Sequence, residues 1–379
     1  MKTINFLTSH FIPENTACSN RVLAFVRKLG EKYKINVICL TEKGSYQKHN
    51  HVKYNNNIDI YYVNQQNYDG RNFFKRAFFE IIYIHKLTKI TTGLSSDLII
   101  ATSPYMFMIP MVGFRMKGPR IIDIRDLVWE YLDDRGIVKK IIKYTLKTIM
   151  KQSIKKFDHV SVTNDYEYNL LKKKYGIKNI NIIPNGIERN KFKHLTSLHL
   201  NNQNEQITVT YVGNLGLAQN LMTLVKAAEQ LPSIKFFIIG SGIEAVSIKN
   251  YIDRMGIQNI EMTGKLTWQE LKDYYMKTSI LYAQLDRKFI SAMPSKLYEY
   301  AAIGLPIIYG GVGQAVTFVN QLENATIIEP NDVDRLVYTI KRLAKSPKYI
   351  SDANRKLIEK YYIRENSSDE IVSIVDKII

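Results

Sequence analysis

The chain has 379 residues, 45% hydrophobic and 23% charged, the balance of a globular protein able to bury large cores. At about 150 residues per domain this length predicts two domains of similar size, and it excludes disorder, collagen and coiled coil as the main architecture. The outlying quantity is charge: 53 Lys and Arg against 35 Asp and Glu leave +18, a surplus to be matched by an anionic partner such as nucleic acid, a membrane or phosphate.

In the first half, short β-branched runs predict strands at residues 4–7, 35–40, 58–63, 98–101, 121–124 and 159–163, separated by amphipathic helical patterns. The apolar run at the N-terminus is too short for a signal peptide, and Cys18 and Cys39 are too few for a disulfide framework. Residues 98–114 carry no charge but read as a buried strand, a turn at Ser103-Pro104 and an apolar helix, not a membrane span. The strand at 121–124 runs into Arg125-Asp126, where Asp126 could orient an acceptor hydroxyl or take its proton; a structural Arg125–Asp126 pair fits the same spacing. Residues 10–21, beginning with His10, are expected on the same rim.

Residues 136–156 hold seven lysines and no acid. Lys139, Lys143, Lys147, Lys151 and Lys155 recur every fourth residue among isoleucines, which predicts a helix with a basic face beside an apolar one. Such a helix suits peripheral docking on an anionic membrane leaflet, each lysine contributing on the order of 1 kcal/mol. The charge follows this half: residues 1–184 carry 30 basic and 15 acidic side chains, residues 185–379 carry 23 and 20.

Asn185-Gly186 marks a turn and residues 197–206 a polar linker. Strands follow at 207–212, 235–239, 259–262, 280–283 and 307–309. Two of them end in glycine turns, Gly213-Asn214-Leu215-Gly216 and Gly240-Ser241-Gly242. Glycine lets backbone approach a ligand, so turns at adjacent strand ends fit a phosphate or nucleotide crevice, although any tight strand-to-helix turn favours glycine. From Pro294 to Gly304 a helix of two to three turns is bounded by start and stop signals. Its open first-turn amides and Lys296 suit a diphosphate, and Glu299, on the same face as Ser295, can accept two hydrogen bonds from a ribose diol. A solvated Glu299 and a surface Lys296 satisfy the spacing equally. His49 and His51 lack further ligands at metal-binding spacing, so no metal site is expected.

Taken together, Ile183-Pro184-Asn185-Gly186-Ile187, the segment from Tyr211 to Gln219, Gly240-Ser241-Gly242 and Pro294-Ser295-Lys296-Leu297-Tyr298-Glu299-Tyr300 resemble the retaining glycosyltransferases of family 4. The wording Gly-Asn-Leu-Gly-Leu-Ala-Gln and Ile124-Arg125-Asp126-Leu127 is similar to the bacterial branch that builds capsule and O-antigen repeat units, fucosaminyltransferase-like enzymes included. The resemblance implies an α/β GT-B fold, two doubly wound Rossmann-like domains facing across a cleft. It implies an acceptor-binding domain at 1–184, a nucleotide-sugar domain at 185–366 and a helix at 367–379 returning to the first.

It further implies that Gly213, Asn214, Gly216, Gln219 and Gly240 line the donor site, that Lys265 and Leu266 meet the base, and that Ser295, Lys296 and Leu297 present amides to the diphosphate. Glu299 matches the second glutamate of the family's Glu-x7-Glu motif, while Ser291 stands in place of the first. The family's basic pair after the glycine strand is replaced by Asn214 and Gln219, leaving Lys296 to supply positive charge beside the catalytic candidates Arg125 and Asp126. Asn15, Thr16 and Ser103 are expected on the acceptor side. The implied reaction moves a sugar from a nucleotide-diphosphate sugar to a polyprenyl-diphosphate-linked saccharide, without metal or other cofactor, on the cytoplasmic face of the membrane. A nucleotide-sugar 2-epimerase shares this architecture but needs several acid/base groups and no acceptor. A nucleic-acid-binding protein would explain +18 yet leave the second-half motifs unexplained.

Overall fold

The computed structural model describes residues 1–14, 16–42, 51–65, 73–200, 206–345 and 350–379. It divides into two units, residues 1–185 with 364–379, and residues 186–363. Part of the expected linker, along with Asn15 and His49, lies outside the described residues.

The first unit is built on eight strands: β1 (Thr3–Thr8), β2 (Lys34–Glu42), β3 (His51–Lys53), β4 (Ile58–Gln65), β5 (Leu98–Ser103), β6 (Arg120–Ile124), β7 (His159–Val162) and β8 (Ile180–Ile182). Their order is β3-β4-β2-β1-β5-β6-β7-β8, parallel except for β3 on β4. Central strands buried on both faces read as near-continuous apolar runs, which is why β1 and β5 were visible in sequence. Alternate residues of β1 serve opposite layers: Ile4 and Phe6 join one apolar cluster and Leu7 the other. The uncharged segment after β5 does turn and form the short helix Met108–Arg115. The helix Arg364–Ile378 packs Ile371, Ile374 and Val375 into the cluster containing Val22, Phe25 and Leu29 of the helix Ala17–Gly30. Asn181 Nδ2 donates to Glu370 Oε1 at 2.7 Å and Lys32 pairs with Asp376 at 2.7 Å, fixing that helix to the first unit.

The second unit has six parallel strands: β9 (Thr208–Val212), β10 (Lys235–Ile239), β11 (Ile260–Gly264), β12 (Ile280–Gln284), β13 (Ile307–Gly310) and β14 (Ala325–Ile328), in the order β11-β10-β9-β12-β13-β14. Both sheets therefore reverse their winding once, between β1 and β5 and between β9 and β12, and ligands of doubly wound sheets bind beyond the carboxyl ends of the strands at that point. β3, β8 and β14, three or four residues long, are not among the strands expected from apolar runs.

The predicted lysine helix forms over Ile137–Ile154, but its charge is arranged differently from expectation. Lys139, Lys143 and Lys147 are ion-paired with Asp133, Asp134 and Glu130 at 2.9, 3.1 and 2.6 Å. The three acids lie immediately before the lysine-rich segment and fold back along it. Its first turns also leave apolar side chains open to solvent: Ile137, Val138, Ile141 and Tyr144 are 79%, 69%, 60% and 75% exposed, while Met150 and Ile154 farther along are buried. Lys140, Lys151 and Lys155 are exposed. Among the described residues, no helix is long and apolar enough to cross a membrane.

Candidate functional site

In the second unit the two glycine turns pack backbone on backbone. Gly240 has φ +141°, and a Cβ there would stand 1.8 Å from the carbonyl oxygen of Gly213. Gly213 N–H donates to Ile239 O at 2.8 Å and Leu215 N–H to Ser241 O at 2.9 Å, stitching the turns together. Between them lies a cavity of about 360 Å³ lined by Gly213, Asn214, Gly240, Ser241, Lys265 and Leu266, so the ends of β9, β10 and β11 meet at one cavity, whose lining does not include Gly216 or Gln219. Asn214 Nδ2 reaches Gln219 Oε1 at a long 3.5 Å, and a Cβ at Gly216 would meet Asn214 Nδ2 at 2.6 Å.

A residue that sequence reasoning passed over holds this loop. Gln284, 1% exposed at the end of β12, donates from Nε2 to Gln219 O and Asn220 O at 3.1 and 3.0 Å and accepts at Oε1 from Asn331 N–H at 3.0 Å. Asn220 and Asn331 both adopt positive φ, which this network supports. The available signal was a polar side chain ending an otherwise apolar strand.

The helix Ser295–Ile303 starts on the opposite side of the switch point, without a side-chain cap, so its first-turn amides face outward. The Leu297 N–H is already donated to Pro294 O at 3.0 Å and its side chain is buried in the core. Leu297 is thus a packing residue, and the amides left for an anion are those of Ser295 and Lys296. Lys296 brings its ammonium 3.7 Å from the centre of the Tyr211 ring and next to Gly213, where a Cβ would come within 2.6 Å of Nζ. That Nζ is buried and has no hydrogen-bond partner among the described residues. Burial pushes Lys296 down to about 7, with Glu299 pulling it back up. Tyr211 in turn donates to Asn214 O at 2.6 Å and Tyr300 OH accepts from Val212 N–H at 2.9 Å, which fixes the wall under the amine. Glu299, one turn into the helix, is not a free surface acid: its Oε1 is 2.6 Å from Lys191 Nζ. Ser291 is fully buried nearby in sequence.

In the first unit the switch point gathers unsatisfied polar atoms. The hydroxyls of Ser9, just past β1, and Ser103, at the end of β5, are buried without partners among the described residues. Arg125 Nε and Asp126 Oδ1, just past β6, are in the same condition. Burial raises Asp126 to about 6, against the opposing Leu127 amide and the Arg125 charge. Glu167, at the start of the helix Asp165–Asn169, is 1% exposed. It accepts from Thr163 N–H and Oγ1, both at 2.8 Å, yet burial and the Asp126 charge carry it to about 8. Carboxyls whose environments set different protonation states are a recurring mark of acid/base sites. Thr16 is committed elsewhere: as N-cap of the helix Ala17–Gly30, its Oγ1 accepts from Ser19 N–H at 3.2 Å. Asn15 lies outside the described residues. His10 pairs with Glu14 at 2.7 Å.

Among the described residues no three His, Cys, Asp or Glu side chains stand close enough to hold a metal ion. Residues 19–191 match the family model "Glycosyltransferase Family 4" and residues 197–363 match "Glycosyl transferases group 1". No curated protein matches the chain by sequence. Among solved structures, sucrose-phosphate synthase from Thermosynechococcus elongatus is similar at TM-score 0.80 and 15% identity, over 100% of this chain and 99% of that one. Anabaena HepE in complex with UDP and glucose is similar at TM-score 0.69 and 13% identity, over 99% and 100% of the two chains. WaaG, described as a glycosyltransferase involved in lipopolysaccharide biosynthesis, gives TM-score 0.69 and 12% identity over 97% and 99%. At these identities the likenesses establish the fold.

Proposed function

Because the chain belongs to the group 1, family 4 retaining glycosyltransferases of GT-B fold, which take their sugar from a nucleotide sugar, we propose how its own residues divide that reaction. The second unit binds the donor: the Gly213 and Gly240 turns admit the diphosphate, Lys265 and Leu266 flank the base, and Glu299 holds the ribose. The observation that carries this reading is the Lys296 amine, buried over the Tyr211 ring and beside Gly213 at the open end of a helix, with no hydrogen-bond partner among the described residues. A desolvated cation with nothing to bind is costly unless an anion completes the site.

The first unit takes the acceptor, with Ser9, Ser103, Arg125 and Asp126 offering the unsatisfied donors and acceptors that a saccharide requires. The bond from the anomeric carbon to the diphosphate breaks while the acceptor oxygen bonds to the same face of that carbon. The acceptor proton passes to the departing diphosphate, and Lys296 with the Ser295 and Lys296 amides stabilises the charge that develops there. The wording after β9 and β6 supports the finer assignment to capsule or O-antigen assembly, with a fucosaminyltransferase-like donor sugar and a polyprenyl-diphosphate saccharide as acceptor. In a thermal-shift screen, a nucleoside diphosphate at a hundredfold excess over its Kd is expected to stabilise the protein by about 2.7 kcal/mol. Glu299→Ala is expected to remove most of that gain, and absence of stabilisation by any nucleoside diphosphate or its sugars would overturn the reading.

Such an acceptor places the first unit at the cytoplasmic face of a membrane. The exposed Ile137, Val138, Ile141 and Tyr144 beside Lys140 form the contact, replacing the paired lysines as the expected docking element. Changing Ile137, Ile141 and Tyr144 to serine is expected to abolish co-sedimentation with anionic vesicles. Changing Lys143 and Lys147 to glutamine is expected to leave most of it. Undiminished binding by the serine variant would refute this surface.

A further inference from the structure

The carboxylate assigned to the ribose lies between two amines with different fates. Lys191 Nζ is 2.6 Å from Glu299 Oε1, whereas Lys296, whose protonation Glu299 favours, has no hydrogen-bond partner among the described residues. Both partners of the ion pair stand on fixed backbone. Lys191 belongs to the helix Arg189–Thr196, which buries Phe192 and Leu195 in the same apolar cluster as Leu297, Tyr298 and Tyr300 of the helix carrying Glu299. The pair is only partly exposed, 39% at Lys191 and 18% at Glu299, so solvent screens it less than a surface contact.

A glutamate has three side-chain torsions, and an ionised one offers acceptor sites on both oxygens. Lys191 occupies one direction at Oε1 and leaves Oε2 for the two hydroxyls of a ribose. It also settles which amine neutralises the acid. Without Lys191, Lys296, on the same helix and already coupled by charge to Glu299, is left to neutralise the acid, and a carboxylate drawn onto Lys296 would withdraw the amine from the diphosphate.

We propose that Lys191 is a positioning residue of the donor site: it orients Glu299 toward the ribose and, by holding its charge, keeps Lys296 free for the diphosphate. The inference rests on the donor reading above. Its test uses the full chain and calorimetric binding of the tightest of UDP, GDP and ADP, beside the matching 2′-deoxynucleoside diphosphate.

Lys191→Met is expected to weaken the ribonucleotide about tenfold, the factor equivalent to about 1.4 kcal/mol. It should also shrink the preference for ribose over deoxyribose, and Lys191→Arg should restore both. In a Glu299→Gln background, adding Lys191→Met should cause little further loss, because Lys191 acts through Glu299. Lys193→Met, on the same helix, serves as control and should bind as the parent does. Lys191→Gln stands in if the methionine variant does not fold. Unchanged binding in a folded Lys191 variant would overturn the proposal, as would equal losses for ribose and deoxyribose ligands. Absence of binding by the parent protein would instead overturn the donor reading itself.

Discussion

Lys296→Met is expected to lower kcat by about 10²- to 10³-fold, the range found when one preorganised donor to a developing negative charge is removed. KM for the donor should rise less, because charge on the diphosphate is greatest as the bond to the sugar breaks and the amine acts chiefly there. The same substitution has a second, oppositely signed effect on the unliganded protein. Burial holds Lys296 at about 7 in the folded chain against 10.5 as its ordinary value. Between those values the unfolded chain keeps the proton and the folded chain sheds it, so stability rises with pH across that window. Below about 7 both states hold the proton and the full cost of burying the charge is present. Methionine removes that cost: the variant should be more stable than the parent at pH 6, and the gap should narrow as pH rises toward 10.5.

Donor binding reads the same group. A diphosphate beside Nζ favours the ammonium, so binding above pH 7 is expected to take up a proton. The uptake appears as a dependence of binding enthalpy on buffer ionisation heat and as weaker affinity with rising pH. Lys296→Met should lose this uptake. If the variant kept both turnover and proton uptake, the amine would have no part in the reaction.

How much of this arrangement was legible in the sequence depends on the range of each contact. The glycine turns could be read because conformation and spacing are local: a β-branched strand running into Gly213 or Gly240 is a strand-to-helix turn wherever it occurs. The start and stop of the helix Ser295–Ile303 were legible for the same reason, Pro294 before it and Gly304 in a left-handed conformation after it. The Lys191–Glu299 pair spans 108 positions and has no local signature. Gln284 satisfies loops on both sides of it only after the sheet is assembled. The lysine stripe was legible from its spacing, but the acids that pair with three of its lysines, Glu130, Asp133 and Asp134, precede it and carry no part of that period. Leu297 carried an expected amide contact because helix position alone does not reveal that Pro294 O has taken its N–H.

The largest expected effect on stability lies away from the donor turns, at Arg21. Its guanidinium makes a two-pronged contact with Asp123, Nη2 to Oδ1 at 2.7 Å and Nε to Oδ2 at 3.0 Å, with the side chains 1% and 0% exposed. Asp123 also accepts from Ser161 Oγ at 2.7 Å, and Arg21 Nη1 donates to Ile183 O at 2.8 Å and Pro184 O at 3.2 Å. One buried pair thus ties the first helix, the end of β6, β7 and the last residues before the second unit. Burial alone would raise Asp123, but Arg21 and the Ser161 hydroxyl hold it below the ordinary carboxylate range. Arg21→Met strands that carboxylate in the core, which should cost about 3–5 kcal/mol. For a unit of this size the unfolding midpoint should fall by about 10 °C. The sign with pH follows from the stranded acid. In the parent, the stability gained from ionised Asp123 is present above the unfolded pKa and is lost as pH falls through the folded one. In Arg21→Met the freed carboxylate shifts upward, so mild acid, by protonating it, should narrow the gap between variant and parent. Adding Asp123→Leu should recover most of the lost stability, since a buried pair replaced by apolar groups is often neutral. If Arg21→Met alone melted within a degree or two of the parent, the pair would not hold the first unit together.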